Sequence, residues 1–299
     1  TSGSMDDLVL EEIVSTEPSA GGDDTVITLD GDKTVVGGFG ADNIDGGIGN
    51  HTVIGDNGHI NYSDGNPVLF ETIDTAANTA NGGNDVITLD DGNGIVFGGM
   101  ADDTITTADG TDVIFGDNGR IVSSGTMDDL VLSEVVSTEP SAGGDDTIST
   151  GDGHKTIIDG FGSDQTTAGE GDHIVFGDNG SITYDTDGAP LLLETTDIAD
   201  HPEYGGDDAV TLGNGDSTVF GGMGSDDIIT GDGTDIIFGD NGQITYIGPV
   251  GGLELNEITS LLPDSGGPDA IVTGNGDKHI IAGVGDDTAA TGTGDDIVI

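Results

Sequence analysis

Apolar positions along this chain recur every nine residues rather than at helical spacing. In the first stretch Val26, Val35, Ile44 and Val53 each stand four residues after a glycine, at Gly22, Gly31, Gly40 and Gly49. Further on, Val210, Val219, Ile228 and Ile237 follow Gly206, Gly215, Gly224 and Gly233 in the same way. Short β-branched runs between Gly, Asp and Asn turns read as strands, and a helix does not carry this glycine load. The period predicts one short strand plus one turn per unit. Two units then make a coil of 18 residues, and coils stack as parallel strands ~4.8 Å apart. Each coil buries its apolar side only against its neighbours.

A longer period encloses the short one. The tetrapeptide GDNG begins at Gly55, Gly116, Gly177 and Gly239. It divides the chain into modules 1–61, 62–122, 123–183, 184–245 and a truncated 246–299, read as one continuous array over 1–299. Beginning and ending inside a repeat, the chain reads as a fragment. Between the nonapeptide tracts lie two alternating kinds of insert. MDDLVLEEIVSTEPSA at 5–20 returns at 127–142 with 14 of 16 residues identical, and more loosely at 251–267. INYSDGNPVLFETID at 60–74 and ITYDTDGAPLLLETTD at 182–197 read as strand, turn, strand. The first kind also reads as extended, although Met5, Leu8, Val9 and Ile13 fit one face of a short helix. The fold expected is all-β: a parallel β-roll or β-solenoid of stacked coils carrying hairpin-like inserts.

Composition sharpens the picture. The chain has 58 acidic residues against 4 Lys and Arg, a net charge of −54, with 56 glycines and 4% aromatics. Nucleic acid and anionic membrane are excluded as partners, since phosphate binding needs clustered Lys or Arg. A solvated, disordered chain is the plain reading of such acidity, but the strict periodicity opposes it. Ordering costs roughly 1–2 kcal/mol per residue, so the sparse apolar content predicts a thin core that needs other support. There is no cysteine, and no apolar run approaches the ~20 residues of a membrane span.

The acids fall in register. Two positions past the leading residue, the first unit of each module carries Asp24, Asp85, Asp146, Asp208 or Asp269, and the third carries Asp42, Asp103, Asp164, Asp226 or Asp287. In a two-strand coil these turns lie on one edge, so the ten aspartates stack there. Carboxylates so placed repel unless a cation separates them. Calcium suits the setting, because it takes 6–8 oxygens from carboxylates and backbone carbonyls at ~2.3–2.6 Å, and glycine turns leave those carbonyls accessible.

The stretches GGFGADNID at 37–45 and GGMGSDDII at 221–229 resemble the hemolysin-type calcium-binding nonapeptides of the repeats-in-toxin (RTX) family, Gly-Gly-x-Gly-x-Asp-x-aliphatic-x. GGMADDTIT at 98–106 departs by Ala101. The resemblance covers about 36 residues per module. It implies a parallel β-roll with calcium held between successive turns of one edge and the ten aspartates as its carboxylate ligands. Second-rank ligands are Asp112, Asp235 and Asp296 in the fourth unit and the GDNG acids Asp56, Asp117, Asp178 and Asp240. Each GDNG acid either closes a last calcium site or simply makes an Asn-Gly turn.

The second unit never has an acid at this position. It carries Lys33, Gly94, Lys155, Ser217 and Lys278. The lysines are expected either to neutralise that edge by pairing with an insert acid such as Glu11, Glu12 or Glu134, or to be solvated. His51 and His173 share the fourth-unit position and read as pH-sensitive spacers or as surface polar residues. The DTDG run at 185–188 begins like a calcium loop, but Thr196 stands where its bidentate glutamate belongs, so it reads as a turn. No nucleophile–His–acid set is present, and an enzyme is not expected.

Together these readings predict a calcium-loaded structural region of a large secreted bacterial protein: a filament, matrix, surface layer or adhesin stalk. It would fold on meeting calcium, associate into fibres or layers, and be secreted or attached to the cell surface. The alternative is the calcium-binding tail of a secreted toxin or enzyme whose catalytic part lies elsewhere. A flat face for glycan or ice would require a row of exposed threonines, and along the sequence the threonines are scattered.

Overall fold

The computed structural model describes residues 10–16, 19–77, 82–126, 129–196 and 204–299. Its strands form three sheets. Ten short strands, from Thr25–Ile27 and Asn43–Asp45 to Thr288–Ala290, make one wholly parallel sheet; ten more, from Lys33–Val36 and His51–Ile54 to Ile297–Val298, make a second. The chain alternates between them, so each coil contributes one strand to each sheet, and the fold is the parallel β-solenoid that the nine-residue period predicts.

The first core lies between these two sheets. Ile44, Ile87, Ile105 and Ile148 of the first sheet face Val53, Val96, Ile114 and Ile157 of the second, all in one buried cluster. The outward face of the first sheet is exposed, and its strands alternate exposed and buried residues, as in Thr104–Thr107. The second sheet is different. His51–Ile54, Gly94–Phe97 and Asp112–Phe115 are buried at every position, because this sheet is covered on both sides.

Its cover is built by the inserts. Nine strands form a third, antiparallel sheet, among them Glu12–Val14, Gly58–Ser63, Asn66–Thr72, Gly119–Thr126, Asp129–Ser137 and Glu254–Ser260. Both insert kinds are therefore extended, and the helical alternative for the first kind is not adopted at Ile13; Met5, Leu8 and Val9 lie outside the described residues. One residue per strand falls in a single cross-strand row: Ile13, Ile60, Phe70, Ile121, Val135, Ile182, Leu193, Ile244 and Ile258. This row packs on Ile54, Phe97, Phe115, Ile158, Phe176, Phe220 and Phe238 of the middle sheet. The phenylalanines stack along the array, with ring centroids 4.8 Å apart for Phe97–Phe115, 4.5 Å for Phe176–Phe220 and 4.8 Å for Phe220–Phe238.

The expectation of a thin core is thus corrected. The second cluster holds 16 buried residues against 18 in the first, so the inserts nearly double the apolar interior. Fully burying such a side chain contributes ~1.5–3 kcal/mol. The missing signal was the insert itself: its alternation is that of a sheet with one buried face, and only the tertiary pairing shows where that face goes.

The GDNG turn makes the exit possible. Its last glycine passes directly over the preceding large side chain, and a Cβ at Gly119 or Gly242 would come within 2.4 Å of the Phe115 ring or 2.3 Å of the Phe238 ring. The hairpin at 60–74 closes through Asp64 and Gly65, both at positive φ (53° and 79°), the pairing that suits the twist of two-residue hairpins.

Candidate metal centre

All ten register aspartates stand on one edge of the solenoid, joined in an unbroken ladder. The amide of each donates to Oδ1 of the next: Asp24 to Asp42 at 2.7 Å, Asp42 to Asp85 at 2.7 Å, Asp85 to Asp103 at 2.7 Å and Asp103 to Asp146 at 2.7 Å. It continues from Asp146 to Asp164 at 2.7 Å, Asp164 to Asp208 at 2.8 Å, Asp208 to Asp226 at 2.9 Å, Asp226 to Asp269 at 2.9 Å and Asp269 to Asp287 at 3.0 Å. Neighbours on the ladder are 18 residues apart within a module and 43 or 44 apart across an insert. The insert therefore leaves and re-enters without disturbing the edge.

One oxygen of every carboxylate after Asp24 is thereby used. The other is not: Oδ2 of Asp42, Asp85, Asp103, Asp146, Asp164, Asp226 and Asp269 is buried with no hydrogen-bond donor among the described residues. All of these atoms except Asp164 Oδ2 face a backbone oxygen across a glycine. A Cβ on Gly37 would lie 2.3 Å from Asp42 Oδ2 and 2.2 Å from the Gly55 carbonyl oxygen. On Gly98 it would lie 2.3 Å from Asp103 Oδ2 and 2.1 Å from the Gly116 oxygen; on Gly221, 2.3 Å from Asp226 Oδ2 and 2.0 Å from the Gly239 oxygen. At these three turns a Cβ would crowd both oxygens, and glycine avoids that contact.

Burial pushes these carboxyls up, to about 7 for Asp85, about 7 for Asp164, about 7 for Asp269 and about 10 for Asp226. The ladder amide opposes the shift, and neighbouring aspartates add to it. Asp42 is raised by the same desolvation, and Asp103 and Asp146 well above the usual range.

The GDNG acids sit on the same edge but are held differently. Asp56 accepts from Gly83 N at 3.1 Å through Oδ1 and from Met100 N at 2.5 Å through Oδ2. Asp117 joins Gly144 to Phe161, Asp178 joins Gly206 to Met223, and Asp240 joins Gly267 to Val284. Each carboxylate fastens the chain returning from an insert to the next turn, spanning the break in its own turn. That is more than an Asn-Gly turn requires. The asparagine contributes as well, with Asn241 Nδ2 donating to the Gly222 oxygen at 3.2 Å.

The opposite edge carries resident cations. Lys155 and Lys278 are buried. Lys155 Nζ meets Asp112 Oδ2 at 2.8 Å and the backbone oxygens of Gly110 at 2.8 Å, Asp152 at 3.2 Å and Ala108 at 3.3 Å. Lys278 Nζ meets Asp235 Oδ2 at 2.9 Å and the oxygens of Gly233 and Asn275 at 2.6 and 3.2 Å. Among the described residues Lys33 Nζ reaches only carbonyls, Gly31 at 2.6 Å and Asp30 at 3.1 Å. Lys155 and Lys278 neutralise this edge, as one reading proposed, but their partners are the fourth-unit acids of the preceding coil and not Glu11, Glu12 or Glu134. Of these insert acids, Glu134 pairs with Arg120. Asp112 and Asp235 thus lie away from the aspartate ladder, as does Asp296, whose Oδ1 accepts from Lys278 N at 3.2 Å. His51 and His173 are buried rather than superficial, with Nε2 3.0 Å from the Gly47 oxygen and 3.1 Å from the Gly169 oxygen. At 185–188 the chain makes a turn, with Asp185 Oδ1 accepting from Asp187 N and Ala189 N, each at 2.9 Å.

Among the described residues no three acidic or histidine side chains converge as a metal cage. The ladder offers one carboxylate oxygen per turn together with carbonyls, the donor set of a hard oxygen-seeking cation. No family model, curated protein or solved structure matches the chain.

Proposed function

We propose that the chain is a calcium-loaded structural segment of a larger secreted protein, forming part of an extracellular filament, matrix, surface layer or adhesin stalk. The observation that carries this reading is the file of buried Oδ2 atoms without donors among the described residues, all but that of Asp164 facing a turn carbonyl, in a chain of charge −54. Buried charge without a partner costs several kcal/mol, and a divalent ion is the partner these oxygens fit. Asp42, Asp85, Asp103, Asp146, Asp164, Asp226 and Asp269 would hold it, with the carbonyls of Gly55, Gly98, Gly116 and Gly239 among the further donors. Calcium would neutralise adjacent turns and tie them together, which accords with the repeats-in-toxin resemblance. Circular dichroism during calcium titration tests the reading: β signal should grow with calcium and collapse in chelator, followed by filaments or layers on imaging. Full β signal in chelator, unchanged by calcium, would overturn it.

A second reading has an observation of its own. Threonines scattered in the sequence are gathered by the fold into one row on the exposed parallel sheet: Thr88, Thr106, Ser149, Thr167 and Thr211 occupy successive strands in register. Among the twenty outward positions of that sheet only Asp45 and Asp227 are charged. A flat, neutral, hydroxyl-bearing face suits an uncharged regular surface such as a polysaccharide or ice. Retention on insoluble polysaccharide, abolished by Thr106→Glu with Thr167→Glu, would decide for it.

A further inference from the structure

At one turn of the aspartate edge a second carboxylate stands where three other turns have glycine. Five residues before a third-unit ladder aspartate stands a glycine, Gly37 for Asp42, Gly98 for Asp103 and Gly221 for Asp226, whose missing side chain leaves the space between Oδ2 and the carbonyl. Before Asp287 the residue is Ala282, and before Asp164 it is Asp159. The side chain of Asp159 therefore starts where three of the other turns have glycine, close enough to Asp164 for the two carboxylates to act on one another electrostatically. It is 1% exposed.

A second departure lies in the same turn. The inward column of the first sheet runs Ile44, Ile87, Ile105, Ile148, Thr166, Val210, Ile228, Ile271. Thr166 alone among these is polar, and it is fully buried. Its Oγ1 donates to Asp159 Oδ1 at 2.7 Å. The threonine thus fixes one oxygen of the carboxylate. The other, Asp159 Oδ2, is buried with no donor among the described residues, as is Asp164 Oδ2. The main chain of Asp159 serves the neighbouring turn as well, since its carbonyl oxygen and Asp146 Oδ2 both converge on Gly116, 2.5 and 2.2 Å from a Cβ built there.

We propose that Asp159 and Asp164 together form a divalent-cation site of higher affinity than the rest of the edge, with Thr166 as the residue that positions Asp159. This rests on the calcium reading above and adds to it a rank order among sites. Where other turns offer a cation one ladder carboxylate with carbonyls, this turn offers two carboxylates. Affinity in oxygen-ligand sites rises with the number of charged ligands and with rigidity, and the threonine supplies the rigidity. The site lies in the third of five modules, so an ion bound there first would order the middle of the array before its ends.

Terbium luminescence and calcium calorimetry on the full chain provide the test. The wild-type isotherm should contain one tight site above a weaker class. Asp159→Gly, which restores the residue of three of the other turns, should weaken the tight site by about tenfold or more, so that it merges with the weaker class. Asp159→Asn keeps the size and the acceptor for Thr166 and should lose the tight site equally. Thr166→Val should weaken it without abolishing it. An isotherm unchanged by both Asp159 substitutions would overturn the proposal and leave Asp159–Thr166 as a structural hydrogen bond. A wild-type chain that binds neither ion would instead refute the calcium reading itself.

Discussion

The sharpest perturbation of the edge is Asp85→Asn, which removes charge at nearly constant shape. Asp85 is 1% exposed; its Oδ1 accepts from Asp42 N and its Oδ2 faces the Gly98 oxygen. Desolvation pushes its pKa from 3.8 up to about 7. The folded chain therefore holds a proton that the unfolded chain releases above about pH 4. Stability without metal should be highest below that point and fall as pH rises towards 7. A shift of ~3 units corresponds to about 4 kcal/mol at pH 8. Asparagine avoids that penalty, keeps the acceptor for Asp42, and places an amide donor opposite the Gly98 oxygen. In chelator at pH 8 the variant should gain roughly 2–4 kcal/mol. In calcium it should lose the increment a bound ion contributes, ~2.7 kcal/mol at a hundredfold excess over Kd. Urea unfolding in the two conditions reads both; if chelated wild type is unfolded, the variant's shift toward folding is read at pH 5 and 8. A loss of the same size in both conditions would show that the carboxylate serves only as a hydrogen-bond acceptor, and the cation reading would fail at this turn.

Three further outcomes follow from the structure. Lys155→Met strands the buried Asp112 carboxylate, which keeps Gly94 N and Thr107 Oγ1 but loses its cation; urea unfolding should show a loss of about 3–5 kcal/mol, insensitive to calcium. Phe220→Ala opens the insert-side core and breaks two ring stacks; the cost should be about 3–5 kcal/mol or more, whereas a loss under about 1 kcal/mol would mean the third sheet contributes little. Ala101 stands at φ 72° where the corresponding turns have glycine. Relief of strain, ~1–2 kcal/mol, outweighs the added entropy of a glycine, ~0.5–1 kcal/mol, so Ala101→Gly should raise the melting temperature slightly.

Much of this architecture can be read from the chain because its period is local. Gly22 to Val26 and Gly31 to Val35 declare a strand and a turn within nine residues, and the parity of the units places Asp24 and Asp42 on one edge and Lys33 and His51 on the other. What the sequence conceals are relations between units. Lys155 meets Asp112 across 43 residues, so a search for its partner among nearby insert acids finds the wrong ones. Thr88 and Thr211 share a row although 123 positions separate them in the chain. The inserts show an alternating pattern at Ile60 and Ile121, but nothing local says that their apolar faces close over Phe97 and Phe176. Asp159 escapes a scan for motif positions because it stands in a glycine's place, and that substitution is itself the legible signal.

A roll of near-identical coils invites slippage: displaced by one turn, 18 residues, each strand would still find a plausible neighbour. The antiparallel layer forbids this. Its strands are tethered to fixed exits at Gly58, Gly119, Gly180 and Gly242, and hairpins of two different sequences alternate along it. A coil one step out of place would pull its hairpin away from the mate that completes the row from Ile13 to Ile258. The inserts thus act as index marks along an otherwise monotonous spring, fixing which coil sits against which.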